Sequence, residues 1–299
     1  MSNGHPQGAA TSVRRLGVSL VLTGTVMMAE AVGGWLSGSL ALVSDAGHML
    51  TDAGSLGLAL VAAYLAARPS DDRRTFGYRR AEVLAAGVNV GALSLLAGWI
   101  AWEAVGRLRS PGRPIDLRLM AAIAAVGLAA NLAILWFLHG DRGLNARSAF
   151  LHVLSDAFSS IAIMGGAAAI AIHPGLWWLD PALSIAIAAL ILAGALRLAV
   201  EITDILMEGV PRHLDLGAVT AQIQSAEGVL AVHDLHIWSI SSGLYALSAH
   251  LVVHTESIGR NDEILTAVKI GLSKSFDIDH TTLQIESADY SHVGDVHAH

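Results

Sequence analysis

The chain has 299 residues, of which 54% are hydrophobic and only 14% charged, against roughly 25% charged in an ordinary soluble domain. That is too little charge to cover a globular surface, so a plain soluble enzyme is excluded, and the absence of cysteine removes disulfides, thiolate metal sites and sulfur redox chemistry. The net charge of −7 is unevenly placed, with fourteen acids balancing fourteen arginines in residues 1–208 but eleven acids against four bases in residues 209–299, so an acidic soluble domain follows a neutral membrane domain and nucleic acid is excluded as a partner.

A helix needs about 20 apolar residues to span the hydrocarbon. Six stretches qualify: Leu16–Leu36, Leu40–Ala67, Val83–Val105, Leu119–Leu138, Ala149–Ile172 and Pro181–Val200. The first is not a cleavable signal, because Arg14-Arg15 leads into a full-length span that contains Glu30. Arginines favour the cytoplasmic side. Arg14, Arg15, Arg68, Arg73, Arg74, Arg79, Arg80, Arg142 and Arg147 fall on one side, which also receives the C-terminal domain. The other side holds Arg107, Arg109, Arg113 and Arg118 in a single loop. Both termini are therefore expected in the cytoplasm of a multi-pass inner-membrane protein. Trp35, Trp99, Trp102, Trp177 and Trp178 fall near span ends, where an interfacial belt belongs, and Trp136 closes the fourth span.

Gly209 and Pro211 mark a boundary, after which the hydrophobic period changes. Asp215–Ala226 and Asn261–Lys274 read as helices; Val229–Ile240, Leu244–His254 and Thr281–Ser287 read as strands. The fold class expected is an α-helical polytopic membrane protein of six transmembrane helices, with a C-terminal cytoplasmic α+β domain of αββαβ order, metallochaperone- or ferredoxin-like. The domain limits expected are an N-terminal tail at 1–14, the membrane domain at 15–208, the cytoplasmic domain at 209–290 and a flexible histidine-containing tail at 291–299.

One motif occurs twice. His48-Met49-Leu50-Thr51-Asp52-Ala53-Gly54-Ser55 lies in the second span and His152-Val153-Leu154-Ser155-Asp156-Ala157-Phe158-Ser159 in the fifth. The i, i+4 spacing puts each His and its Asp on one helical face, a turn apart. Two such faces turned together offer two imidazoles and two carboxylates, a set suited to tetrahedral Zn²⁺. Polar residues in spans often serve only as helix–helix glue, and Asn89 and Asn131 read that way. An Asp at a span centre, however, costs about 2.5–3.5 kcal/mol on insertion scales. Two of them, each beside a His, argue for a ligand. Asp45 fits a supporting or a capping role, and Glu30 and Glu82 fit a proton path or salt bridges.

The sequence resembles the cation diffusion facilitator family of divalent-metal transporters, in particular its zinc-exporting branch. The resemblance runs from about Arg15 to Glu286 and rests on the segments Ser44–Asp52, Thr75–Glu82, His152–Asp156 and Val232–Trp238, with His280–Glu286 adding to it. It implies a membrane metal site of His48, Asp52, His152 and Asp156, a homodimer, and exchange of metal for protons. It further implies that His at position 48 goes with preference for zinc over cadmium. Two departures stand out. Some bacterial relatives carry a second metal site after the second span, made of an Asp and two His; Asp71 is present, but Arg74 and Tyr78 stand where the histidines would be. The long His-rich loop of many eukaryotic relatives shrinks to Gly140–Ala146, with His139 beside it.

In the cytoplasmic domain, a two-residue turn at Ser241-Ser242 would pair Ile240 with Gly243 and, counting back, His233 with His250. Directly opposed strand residues have Cβ atoms about 4.5–5.5 Å apart, close enough to share one zinc. Alternation puts His280, Thr282, Gln284 and Glu286 on one face of the last strand. By resemblance, His233, His250 and Glu286 match the family's cytoplasmic zinc site and His280 a neighbouring one. Exposed histidines that merely solvate the sheet are the plain alternative. His236 and His254 are weaker candidates, and His292, His297 and His299 belong to the tail.

The function expected is a proton-coupled Zn²⁺ exporter, with Zn²⁺ and protons as its ligands and the lipid bilayer as its surroundings. Other divalent cations, cadmium or cobalt among them, are alternatives as cargo. A membrane-embedded zinc metallohydrolase is the alternative from another class, but it needs an open coordination position and a general base, and no H-E-x-x-H occurs. A metal-sensing receptor finds no output motif. Without a Walker loop, a pump driven directly by ATP is excluded.

Overall fold

The computed structural model describes residues 6–110, 113–138, 144–241 and 243–289. Most of the short loop with His139 and the tail histidines His292, His297 and His299 fall outside them. Six long helices come first: α1 (Pro6–Ser37), α2 (Leu40–Ala66), α3 (Ala81–Arg109), α4 (Leu117–Leu138), α5 (Leu144–Ile172) and α6 (Leu179–Leu206). They cover the six expected spans, and α1 starts inside the stretch 1–14 expected as a tail. Among the described residues, α2 to α6 are long and apolar enough to cross a membrane. Large apolar side chains such as Leu60, Leu95, Trp102 and Leu190 stand in the open, a surface suited to hydrocarbon rather than water.

The chain forms two compact units. One comprises Met1–Gly57 and Asn89–Leu196, the other Leu58–Val88 and Arg197–His299. The latter joins one end each of α2, α3 and α6 to the C-terminal domain.

In the first unit, Ala41 and Leu42 of α2 pack with Met120 and Ala124 of α4 and with Ile163 and Ala167 of α5. Ala97 and Ile100 of α3 meet Ala188 and Ile191 of α6. The small residues let backbones approach closely. At Gly127 the approach is closest to a carboxylate: a Cβ there would lie 2.6 Å from Glu30 Oε1. The start of α2 is held by Asp180, a fully buried residue of α6. Its carboxylate accepts from the Ser39 hydroxyl (2.5 Å) and from the backbone N–H groups of Leu40 (2.9 Å) and Ala41 (3.3 Å). A carboxylate there satisfies orphan donors and complements the helix dipole. Arg107 stands 3.7 Å from the same carboxylate.

The second unit contains the soluble domain: α7 (Leu216–Gln224), β1 (Val229–Ser241), β2 (Leu244–Val253), α8 (Asn261–Phe276) and β3 (His280–Ser287). Asp215 caps α7 by accepting from Ala218 N–H. The sheet order is β1-β2-β3, with β1 antiparallel and β3 parallel to the central β2. Val219 and Ile223 of α7, with Ile264, Val268 and Leu272 of α8, present the i, i+4 stripes that pack on Leu247, Ala249, Leu251 and Val253. Helices cover one sheet face, as the order of elements predicts.

The β1–β2 register differs from expectation near the turn. Ser241 pairs with Leu244, so Gly243, with φ 72°, is a loop residue and does not face Ile240. The ladder then shifts between Ser239 and Ser241 and again between His233 and His236, and His233 ends opposite His250. The second shift is centred on Asp234, whose φ is 50°. A bulge inserts an extra residue and reverses which side chains face inward. Leu235 and Ile237 pack into the core, and so does Val232 beyond the bulge. Without Asp234's turn, His233 would share the core face with Leu235 and Ile237.

Candidate metal centres

Helices α2 and α5 bring the two His-Asp pairs together. His152 Nε2 lies 3.3 Å from Asp52 Oδ2 across the helices and 3.7 Å from Asp156 Oδ2 on its own helix. His48 Nε2 is 3.7 Å from Asp52 Oδ2, and the two imidazole rings meet edge to face at 6.2 Å. Zn–N and Zn–O bonds of about 2.0–2.1 Å give tetrahedral ligand–ligand edges of about 3.3–3.4 Å. The Asp52–His152 edge has that length already, and the two within-helix edges are a few tenths of an ångström longer. Asp52 Oδ2 and His48 Nδ1 are shielded from solvent yet make no hydrogen bond, a costly state for protein alone. Asp156 is 3% exposed overall. The arrangement supplies two carboxylates and two imidazoles to a small dication.

The surroundings hold these side chains in place. Ser159, the last residue of the second motif, donates to Asp45 Oδ1 at 2.7 Å and ties α5 to α2. Asp45 therefore links the helix pair beside the two His-Asp motifs rather than capping a helix. The matching residue of the first motif, Ser55, meets Asn89 Oδ1 of α3 at 2.8 Å, the linking role expected of Asn89. Glu30 is 1% exposed, with Oε2 lacking any partner.

In the soluble domain, His233 Nε2 is 3.0 Å from Glu286 Oε2, and His250 Nδ1 is 2.9 Å from Glu286 Oε1. The His233 and His250 rings stand 5.0 Å apart. Among the described residues, these three alone offer ligand atoms all within 4.8 Å of one another. Glu286 is 4% exposed, and a buried carboxylate facing two imidazoles fits a divalent cation. His250 Nδ1 is shielded and not aligned for a hydrogen bond despite its short distance, so the donor set fits zinc better than it fits a closed protein network.

Asp234 is the residue that sequence reasoning missed. Its Oδ1 is 3.0 Å from His236 Nε2 and its Oδ2 is 3.8 Å from His250 Nε2. The hydrogen bond with His236 holds the Asp234 carboxyl below the usual carboxylate range, with smaller electrostatic contributions from the nearby His236, His250 and His233 rings. The available signal was an Asp inside a strand, where it is disfavoured unless it turns the backbone. His280 is not brought into this group. It pairs with Ala246 at the far end of β3, about 20 Å along the strand from Glu286, and its ring packs on Phe76 at 5.2 Å. His254 is exposed at the end of β2.

In the loop after α2, the Asp71 carboxylate is taken by protein donors. The Tyr78 hydroxyl donates to Oδ2 at 2.8 Å, and the Arg73 and Arg74 N–H groups donate to Oδ1 at 2.9 and 2.8 Å. Tyr78 is the largest reason that this carboxyl sits below its ordinary range.

Residues 16–207 match the cation efflux transmembrane domain, and residues 211–288 match the cytoplasmic domain of cation efflux proteins. A cadmium, cobalt and zinc/H(+)-K(+) antiporter of Bacillus velezensis is 40% identical over 298 residues, covering 98% of this chain and 94% of that protein. The metal cation efflux system protein CzcD of Cupriavidus metallidurans is 41% identical over 289 residues, covering 96% and 90%. The zinc transporter ZitB of Yersinia pestis is 38% identical over 286 residues, covering 94% and 89%.

Proposed function

Since the chain belongs to the cation diffusion facilitator family of cation efflux transporters, and is a multi-pass membrane transporter rather than an enzyme, we propose that it exports Zn²⁺ from the cytoplasm in exchange for protons. The observation that carries this reading is the meeting of His48 and Asp52 with His152 and Asp156, which leaves Asp52 Oδ2 between two imidazoles with no hydrogen bond. Two ionised carboxylates neutralise a dication, and two neutral imidazoles complete its coordination. Every proton bound at these groups must leave before the metal enters, so metal and protons compete for one set of atoms. Exposure of the set to each side of the bilayer in turn converts that competition into exchange. Net export follows when protons on the outer side displace the metal there.

Zinc is the substrate best matched to a two-nitrogen, two-oxygen tetrahedral set. Cadmium and cobalt are a second reading, supported by the name of the Bacillus velezensis relative. The cytoplasmic His233, His250 and Glu286 hold a zinc ion that regulates rather than permeates, since none of them lies in a span. A bound zinc supplies positive charge to a domain carrying eleven acids and four bases, which weakens repulsion between two copies and favours a homodimer. The chain resides in the inner membrane with both termini in the cytoplasm. The loop 67–80 and the C-terminal domain share one compact unit, which fits the arginine-rich loop and the domain facing the same side.

The test is metal uptake by proteoliposomes under an imposed pH gradient, with zinc, cadmium, cobalt and manganese compared. Zinc uptake that follows the gradient supports the reading; gradient-independent flux contradicts the exchange.

A further inference from the structure

We propose that the loop between α2 and α3, together with the outer face of the sheet, forms a binding site for a phosphate-bearing anion, whose source is the headgroup of an anionic phospholipid. A cavity of about 690 Å³ lies between them, and its lining includes Arg73, Arg74, Arg79, Arg80, Trp238 and His236. Glu208 is the only carboxylate in that lining.

The arginines are not equally engaged. Arg80 pairs with Glu208 at 3.3 Å. Arg74 stands 3.8 Å from Asp71 and donates to the Tyr78 hydroxyl at 3.2 Å. His236 is occupied by Asp234 at 3.0 Å. Arg73 and Arg79 have no carboxylate within ion-pair distance among the described residues. Two guanidinium groups are thus left to answer an anion, in a recess where the other charges already hold each other in place. Guanidinium presents a planar fork of donors that matches phosphate oxygens two at a time.

The backbone that presents them is built, not slack. Asp71 gathers the Arg73 and Arg74 N–H groups and the Tyr78 hydroxyl, and Gly77, with φ 73°, makes the turn between Arg74 and Arg79. Phe76 is fixed against His280 on the sheet. An arginine pair on such a frame loses less freedom on binding than one on a free loop.

Position selects the source. Helix α2 ends at Ala66 and α3 begins at Ala81, and both qualify as membrane spans. The loop between them therefore lies where hydrocarbon gives way to headgroups, and basic recesses at that depth attract anionic lipid. Trp238 and Phe76 add an apolar wall suited to the glycerol end of a lipid. Because the recess is shared by the loop and the sheet within one compact unit, an occupant contacts both.

The experiment is calorimetric titration of the purified full-length protein in non-ionic detergent with short-chain phosphatidylglycerol, short-chain phosphatidylcholine and inorganic phosphate. Saturable binding of phosphatidylglycerol, absent with phosphatidylcholine and weakened by salt, is expected. Arg73→Ala with Arg79→Ala should weaken it by about tenfold or more, as two charge-assisted contacts are lost. Arg73→Lys with Arg79→Lys, which keeps the charge but not the fork, should fall between. Arg109→Ala with Arg118→Ala, at the end of α3 and the start of α4, should change nothing. Retained zinc binding in the full-length double-alanine variant establishes that it is folded. Comparable saturable binding of inorganic phosphate, lost in the same variant, would keep the phosphate site but move its source to the solution. No saturable binding of either ligand, or binding indifferent to Arg73 and Arg79 in a folded variant, overturns the proposal.

Discussion

His233 stands directly across the β1–β2 ladder from His250, with ring centroids 5.0 Å apart, because Asp234 breaks the alternation of β1 immediately after it. The bulge sends Leu235 and Ile237 into the core and His233 out toward Glu286. A local backbone conformation thereby decides whether His233 can join His250 and Glu286 in one cluster of groups able to hold a metal ion.

Asp234→Val should consequently damage the cytoplasmic site without removing a ligand. A β-branched residue resists positive φ, so the strand is pushed toward unbroken pairing and His233 toward the core. Weaker zinc binding in the full-length protein is expected, close to that of His233→Ala. Asp234→Asn, which tolerates the same backbone, should retain most of the affinity. Equal losses in Val and Asn variants would show that the carboxylate matters and the bulge does not.

His233→Ala with His250→Ala should raise the zinc concentration needed for half-maximal transport while leaving substantial activity at saturation. The reason is that both residues lie outside every span. Complete loss of transport in a correctly inserted double variant would place them on the permeation route instead.

Exchange of His48 for Asp should keep transport but admit more cadmium, since a third carboxylate shifts the site away from the two-nitrogen, two-oxygen balance that suits zinc. The measurement is the ratio of zinc to cadmium uptake in one vesicle preparation. An unchanged ratio would put selectivity elsewhere.

Legibility of the chain followed its physics. The six spans were readable because length and apolarity are properties of the sequence itself, and the i, i+4 repetition of His and Asp pointed to one face on each of α2 and α5. The pairing of His233 with His250 was anticipated through a turn that the structure replaces: Ser241 pairs with Leu244, and two register shifts restore the opposition. Asp234 went unread because its effect is conformational, and Asp180 because its partners Ser39, Leu40 and Ala41 are about 140 residues away. His280 shares a strand face with Glu286, as alternation predicts, yet strand length separates them, which parity alone does not reveal.

Asp180→Ala should destabilise the start of α2, which carries His48 and Asp52. Loss of a helix-capping side chain costs about 1 kcal/mol, and the Arg107 guanidinium, 18% exposed, would lose one ion-pair partner while keeping Glu103 and the Gly38 carbonyl. A lower thermal unfolding midpoint is expected, with Asp180→Asn in between because an acceptor oxygen remains. No shift in either variant would mean that the cap contributes nothing.

The loop carboxylate Asp71 sets a pH response. Its folded pKa lies below the ordinary value of about 3.9, so its contribution is fully present above that value and is lost as pH falls through the lower, folded one. Hydrogen exchange at the Arg73 and Arg74 amides should stay protected from pH 7 down to about pH 4. In Tyr78→Phe, which removes the largest cause of the shift, protection should fail at higher pH. Coincident profiles would show that Tyr78 does not hold the carboxylate.

The most direct test of the account is simultaneous measurement of zinc entry and internal pH in proteoliposomes containing wild-type protein or Asp52→Asn. Asp52 Oδ2 is the atom that both imidazoles approach, at 3.3 and 3.7 Å, and Asn keeps its shape while removing its charge and its proton. The account predicts that zinc entry in the wild type drives protons out in fixed proportion, and that both fluxes fall to background in the inserted variant. Zinc flux without proton counterflow, or undiminished flux through Asp52→Asn, would contradict it.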